Sequence, residues 1–227
     1  MSHLIITIDG PAASGKSTVA RLLAEKLNAA FLDTGAMYRA VTLAAMQAGG
    51  NFSNEEMLLD VLNKTQFKFT ATTGGMLVEI ADVDVTEKIR DPKVTANTRY
   101  VAASPPARQL LVEMQRQFAE KHEKIVTEGR DQGTVAFPDA DVKFFLTANI
   151  DERAKRRQAE LQASGIKQSV EKIRQAIEKR DNSDRNRSVG PLKPAKDAVI
   201  VDTTDLTLDE VVQKLVALVT ARLDKGA

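Results

Sequence analysis

Gly10-Pro11-Ala12-Ala13-Ser14-Gly15-Lys16-Ser17 is the stretch whose reading decides the fold. It is a complete G-x4-G-K-S/T match. It follows a short apolar run at residues 4–8 and precedes residues 16–27, where Val19, Ala20, Leu22, Leu23 and Leu27 recur at helical spacing. Strand, glycine-rich turn and helix in that order make a phosphate-binding loop. The glycines let the backbone wrap closely, its N–H groups point inward, and the helix adds the positive end of its dipole. Residues Gly10 to Ser17, with Thr18 next on the helix, are the expected nucleoside triphosphate site. Lys16 supplies a cation to the β- and γ-phosphates, and the Ser17 hydroxyl is a candidate Mg²⁺ ligand.

Working outward, apolar periodicity predicts strands at 31–32, 124–127, 142–147 and 199–202. Helices are expected over 36–48, 55–63, after Pro92, after Pro105-Pro106 to about 121, and over 151–164, 170–182 and 206–223. Strands alternating with helices imply a parallel sheet covered on both faces. Between 67 and 85 the period changes to two, with Phe67, Phe69, Leu77, Val78, Ile80, Val83 and Val85 around Gly74-Gly75. This is the pattern of a small antiparallel insertion.

Composition limits the function. The 227 residues carry a net charge of +1, which argues against a general polyanion binder. Aromatics are 4% with no Trp, leaving few platforms for stacking bases of nucleic acid. Cysteine is absent, which excludes disulfides, thiolate catalysis and Cys-ligated zinc and fits a reducing cytoplasm. No apolar run approaches membrane-spanning length, and the first residues do not read as a secretion signal. Residues 151–190 hold seven of the fifteen arginines, with eleven basic against seven acidic residues. That excess points to a compact anionic ligand, because Arg matches phosphate geometry; the alternative is a solvated helical hairpin.

Other polar groups extend the picture. Asp33, closing the second strand, is placed to orient Mg²⁺ or its waters, or else to cap the next helix. There is no Asn-Lys-x-Asp guanine reader, and neither 124–127 nor 142–147 ends in the Asp-Glu of a motor ATPase. Tyr38-Arg39, Arg108, Gly129-Arg130-Asp131, and Arg180 with Asp184 and Arg187 form further clusters. The last three are spaced i, i+4, i+7, one face of a helix that reaches so far. Singly these are surface salt bridges; beside a triphosphate loop they suggest a second phosphorylated substrate. His3 and His122 read as ordinary surface positions.

On these residues the sequence resembles the bacterial cytidylate kinases, within the nucleoside monophosphate kinases. The matching stretches are residues 8–18, Leu32-Asp33-Thr34-Gly35-Ala36-Met37-Tyr38-Arg39, residues 128–138 (beginning Glu128-Gly129-Arg130-Asp131-Gln132-Gly133-Thr134), and Arg180-Asp181-Asn182-Ser183-Asp184-Arg185-Asn186-Arg187. The loop is shared by many enzymes, whereas Gly-Arg-Asp-x-Gly-Thr and Arg-x3-Asp-Arg-x-Arg are more specific. The resemblance implies an α/β P-loop NTPase-type fold with a five-stranded parallel sheet, a small antiparallel β insertion and a helical lid. It implies phosphoryl transfer from ATP to CMP or dCMP with Mg²⁺. By position, Thr34, Arg108 and Asp131 would read cytosine, Arg39, Arg130 and Arg187 would hold the CMP phosphate, and Arg180 and Asp184 the sugar, with Tyr38 lining the site. Arg153, Arg156 and Arg157, in a lid near 153–166, could reach the transferring phosphoryl; Arg153 and Arg157 join Lys16 as catalytic candidates. Thr34 and Glu128 stand where relatives often have Ser and Asp, keeping hydroxyl and carboxylate. Arg99 stands where a small hydroxyl residue is common.

The expected organisation is one kinase unit over 1–227. Its core comprises 1–62, 90–150 and 191–227, with the insertion at about 63–89 and the arginine-rich lid region at about 151–190. A cytoplasmic monomer acting on ATP and CMP or dCMP, without nucleic acid or membrane partners, is the expectation. The rivals are a kinase for another monophosphate, UMP or AMP, and a nucleotide-binding regulatory switch.

Overall fold

A computed structural model describes residues 4–52, 54–163 and 165–224; His3 and Ser164 lie outside them. The central sheet contains β1 (Leu4–Asp9), β2 (Ala30–Asp33), β6 (Lys124–Gly129), β7 (Val142–Thr147) and β8 (Val199–Asp202), all parallel in the order β2-β6-β1-β7-β8. Alternation along the strands feeds two cores. Ile6, Ile8 and Val126 pack with α1 (Lys16–Lys26) and α8 (Leu208–Asp224), through Leu23, Leu215 and Val219. Ile5 and Ile125 face the other side, where α2 (Thr34–Gln47), α3 (Glu55–Lys64), α4 (Pro92–Ala103) and α5 (Pro105–Glu120) lie. A strand buried on both faces has no polar side to show, which is why these runs read as continuous apolar segments.

The insertion forms the antiparallel sheet β3 (Phe67–Thr72), β4 (Gly75–Ile80) and β5 (Val83–Asp84). Met76, Val78 and Ile80 join the core beside α2, so the insertion is anchored by its alternate residues. Helix starts follow their capping residues: Asp33 accepts from Ala36 N–H, Asp91 precedes Pro92, and Ser104 precedes Pro105.

Two differences from the sequence reading matter for the site. The strand expected over 124–127 runs on to Gly129, making Glu128 a strand residue, and a single π turn (Gln132–Ala136) organises the loop that follows. The helix expected to stop at 182 is α7 (Val170–Asn186), so Arg180 and Asp184 share it and Arg187 caps its end. With α6 (Ile150–Ala163) it forms an antiparallel pair whose apolar contacts, Ala154, Ile173 and Ile177, close over Ala12 of the loop.

Candidate functional site

The strand order creates the site. β6 lies between β1 and β2, and the register pairs Asp9 with Gly129, Ile8 with Glu128 and Asp33 with Glu128. Three strand ends therefore deliver carboxylates to one crevice where the connections diverge, the usual ligand position in an open α/β sheet.

The loop leaves β1 through Gly10, where a Cβ would overlap the Leu146 carbonyl. Ala13 (φ 57°) and Gly15 (φ 83°) are left-handed, the former an uncommon conformation for a residue with a side chain. Lys16 is buried, and its ammonium donates to the Pro11 carbonyl at 3.1 Å and lies 4.0 Å from Glu128 Oε2. Burial, with Arg130 as the next cause, lowers its pKa to about 7. Ser17 and Thr18 are exposed at the mouth, and Ser17 Oγ donates to Glu128 Oε1 at 2.8 Å. Asp9 is buried and accepts from Gln132 N–H and Gly133 N–H, both at 2.8 Å, fixing the turn after Asp131; burial raises its pKa to about 7.

Opposite the loop lies the arginine cluster. Arg130 Nε donates to Asp184 Oδ2 at 2.8 Å, and Arg187 lies 3.8 Å from Asp184 and 3.7 Å from Asp131. Arg108 and Asp131, both buried, form a tight ion pair, with the Arg108 guanidinium 5.7 Å from the Tyr38 ring. Although burial opposes it, Arg130, Arg180 and Arg187 hold the Asp184 carboxyl below its ordinary range. Arg180 forms no ion pair among the described residues; repulsion from Arg130 and then burial lower its pKa to about 10. Among the described residues, Arg39 Nε, Arg108 Nε and Arg187 Nη2 are buried and without hydrogen-bond partners, the last standing 3.7 Å from Asp131 Oδ1.

Other candidates take different positions. Asp33 Oδ1 caps α2 and Oδ2 pairs with Arg39 at 3.2 Å, so both oxygens are engaged. The Thr34 hydroxyl donates to the Glu128 carbonyl at 2.7 Å. Arg153 is buried against Asp181 and Ala12, Arg156 is tied to the Thr203 carbonyl at 2.6 Å, and Arg157 pairs with the exposed Glu160 at 2.8 Å. Arg99 is exposed and donates to the Tyr100 hydroxyl. His122 is half-buried, stacked on Phe118. The sequence alone does not single out Asp9 or Asp181, and it presents Glu128 only as a kept carboxylate. The sign for Asp9 and Glu128 was a carboxylate at the end of an apolar parallel strand.

A phosphate-binding loop, a parallel sheet with flanking helices and a facing arginine basin define the class of P-loop kinases. A solved gluconokinase from Sinorhizobium meliloti 1021 shares that fold, with a TM-score of 0.51 at 15% identity over 98% of this chain and 94% of that one. The cytidylate kinase family model matches residues 6–221. A protein of Leuconostoc mesenteroides named cytidylate kinase is 44% identical over 219 residues, 96% of this chain and 97% of its own. One of Anoxybacillus flavithermus with the same name is 46% identical over the same shares. The chain belongs to the cytidylate kinase family.

Proposed function

We propose that the chain is a phosphotransferase that moves the γ-phosphoryl group of ATP to CMP or dCMP, giving ADP and CDP or dCDP. The observation that carries this reading is the cationic basin between loop and α7. Arg130 and Arg180 both act on Lys16, and among the described residues three guanidinium donors of Arg39, Arg108 and Arg187 are buried without hydrogen-bond acceptors. An orphaned buried donor costs about 1–3 kcal/mol. Two anions, one on the loop and one among these arginines, would relieve that cost.

Transfer between two phosphates needs alignment and charge neutralisation, not a general base, because the acceptor is already an oxyanion. In this reading the amides of the loop and Lys16 hold the ATP phosphates. Arg39, Arg130 and Arg187 take the CMP phosphate, Arg180 and Asp184 the sugar, and Thr34, Arg108 and Asp131 the base beside Tyr38. Arg157, now on a surface partner, is the lid arginine able to swing toward the transferring group.

The donor set fits Mg²⁺. The Ser17 hydroxyl and the Glu128 carboxylate are hard oxygen donors 2.8 Å apart, with Asp33 on the neighbouring strand. No cluster of three acidic or histidine ligands occurs among the described residues, which suits an ion that keeps waters and substrate phosphates as ligands. Bound there through Ser17, the ion would neutralise charge on the phosphate oxygens.

One chain supplies every group named, so we read it as a working monomer and a single kinase unit. It comprises the core at 1–62, 90–150 and 191–227, the insertion at about 63–89 and the lid region at about 151–190. Among the described residues no helix is long and apolar enough to cross a membrane. We place the protein in the cytoplasm, a reading supported by its lack of cysteine. The test is ADP release from ATP with CMP, dCMP, UMP and AMP in turn. Release fastest with CMP or dCMP is expected; equal, slow release with all four would indicate a nucleotide switch instead.

A further inference from the structure

Ala12 is held at both polar ends. Its N–H donates to Asp181 Oδ1 at 2.9 Å, and its carbonyl accepts from Arg153 Nη1 at 2.9 Å. The two partners are themselves joined, Arg153 Nη1 to Asp181 Oδ2 at 2.6 Å, and Arg153 Nε donates to the Ala148 carbonyl at 3.1 Å. Asp181 is 2% exposed and Arg153 6%. Ala12 also packs with Ala154, Ile173 and Ile177. Among the described residues, no other position of the loop is tied by side chains so distant in sequence.

We propose that Arg153 and Asp181 are positioning residues of the ATP site: a buried ion pair that grips the Ala12 peptide groups and couples the α6–α7 hairpin to the phosphate-binding loop. The proposal rests on the reading of residues 10–17 as an ATP site. Its physical basis is directional. With its N–H given to Asp181, Ala12 is fixed facing the hairpin, and the chain must turn through left-handed Ala13 to aim the following amides into the loop. A loop fixed beforehand does not have to be ordered by the nucleotide, and that saving appears as affinity. The gripping pair is drawn from the helices that carry Arg157 and Arg180, so hairpin position and loop shape are one mechanical unit at this end.

The pair is intact only with both members, because a charge left alone in this setting is strongly destabilising. Two variants therefore test it. Arg153→Lys keeps the charge but cannot span Ala148, Ala12 and Asp181 together. Asp181→Asn keeps the shape but loses the charge. ATP alone and CMP alone are titrated calorimetrically into wild type and into each variant that circular dichroism shows folded. ATP affinity is expected to fall about 10- to 100-fold, CMP affinity to change less than about threefold, and the double variant to be no worse than the weaker single one, as for residues acting as a unit. ATP affinity within twofold of wild type in a folded variant, or equal losses for ATP and CMP, overturns the proposal. If Asp181→Asn does not fold, Arg153→Lys decides. A wild-type protein that fails to bind ATP would instead sink the ATP-site reading itself.

Discussion

The Glu128 carboxylate accepts the Ser17 hydroxyl at 2.8 Å, joining the end of β6 to the first turn of α1. Its other oxygen stands 4.0 Å from the Lys16 ammonium. One carboxylate thus orients the hydroxyl proposed for the metal and offsets the charge proposed for the phosphates. Glu128→Gln preserves shape and removes charge. It is expected to shift half-activation by Mg²⁺ to higher concentration and to lower kcat about 100-fold, the lower end of the range for a lost electrostatic contact at a reacting centre. The KM for CMP should stay within about twofold. Steady-state rates against Mg²⁺ concentration provide the check, and unchanged curves would reduce Glu128 to a scaffold.

Lid motion should be confined to the far end of the hairpin. The sequence suggests a lid over 153–166, but Arg153 and Ala154 are buried against the loop, whereas Arg157, Glu160, Gly165 and Ile166 are exposed. Hydrogen exchange with and without an analogue bridging ATP and CMP should show gained protection in 157–169 and little change at 150–155, since weakly packed segments open first. Uniform protection of both segments on binding would contradict this division.

That division shows where the sequence was readable. The order of elements, the parallel sheet and the loop follow from local signals: an apolar β-branched run, glycines at fixed spacing, then helical periodicity. The arginine clusters were visible as composition, and α7 gathered Arg180 and Asp184 because helical spacing held beyond Asn182. What the sequence hid is long-range. Asp181 looks like one more polar residue on a charged helix, and its role depends on Ala12, 169 positions away. Asp9 precedes the loop but serves the turn after Asp131, 123 residues on, because β6 inserts beside β1. Asp33 was ambiguous for the opposite reason: cap and metal ligand ask for the same residue at a strand end, and its oxygens are engaged by Ala36 N–H and Arg39.

Lys16 should make ATP binding pH-dependent. Burial and Arg130 lower its pKa from 10.5 to about 7 in the ligand-free fold. Between those values the unfolded chain holds a proton that the folded chain lacks, so this group's contribution to stability rises with pH across that window. ATP reverses the preference, because its phosphates favour the charged ammonium. Binding should take up close to one proton near pH 8.5, little below about pH 6, and weaken as pH rises above 7. Calorimetry in two buffers of different ionisation heat measures the uptake. Lys16→Met should abolish it and reduce kcat at least about a hundredfold, roughly 3 kcal/mol, with CMP affinity little changed. Uptake that survives in this variant would assign the proton elsewhere, Asp9 being the other group near pH 7.

Base choice should rest on Asp131 with Arg108. The two are ion-paired and buried, Arg187 approaches the other Asp131 oxygen at 3.7 Å, and Arg108 Nε is still without an acceptor. Cytosine presents an amine donor beside a ring-nitrogen acceptor; uracil presents a carbonyl beside an N–H. The carboxylate can accept from the amine and the guanidinium can donate to the ring nitrogen or O2. Against UMP the carboxylate meets a carbonyl oxygen, and both protein groups lose partners. Sites built on buried hydrogen bonds reject such analogues strongly, and the ratio expected here is about 10²–10⁴ in kcat/KM. The arginines proposed for the phosphate cannot contribute, because the two monophosphates are identical there. Asp131→Asn, which exchanges one acceptor oxygen for a donor amide, should lower kcat/KM for CMP and narrow the CMP-to-UMP ratio. Arg39→Ala should weaken both substrates about equally. Asp131 also shapes its loop, its carboxylate paired with Arg108 and 3.7 Å from Arg187. If shaping were its whole role, Asp131→Asn would depress both substrates together, and a CMP-to-UMP ratio left at the wild-type value would place cytosine recognition on other residues.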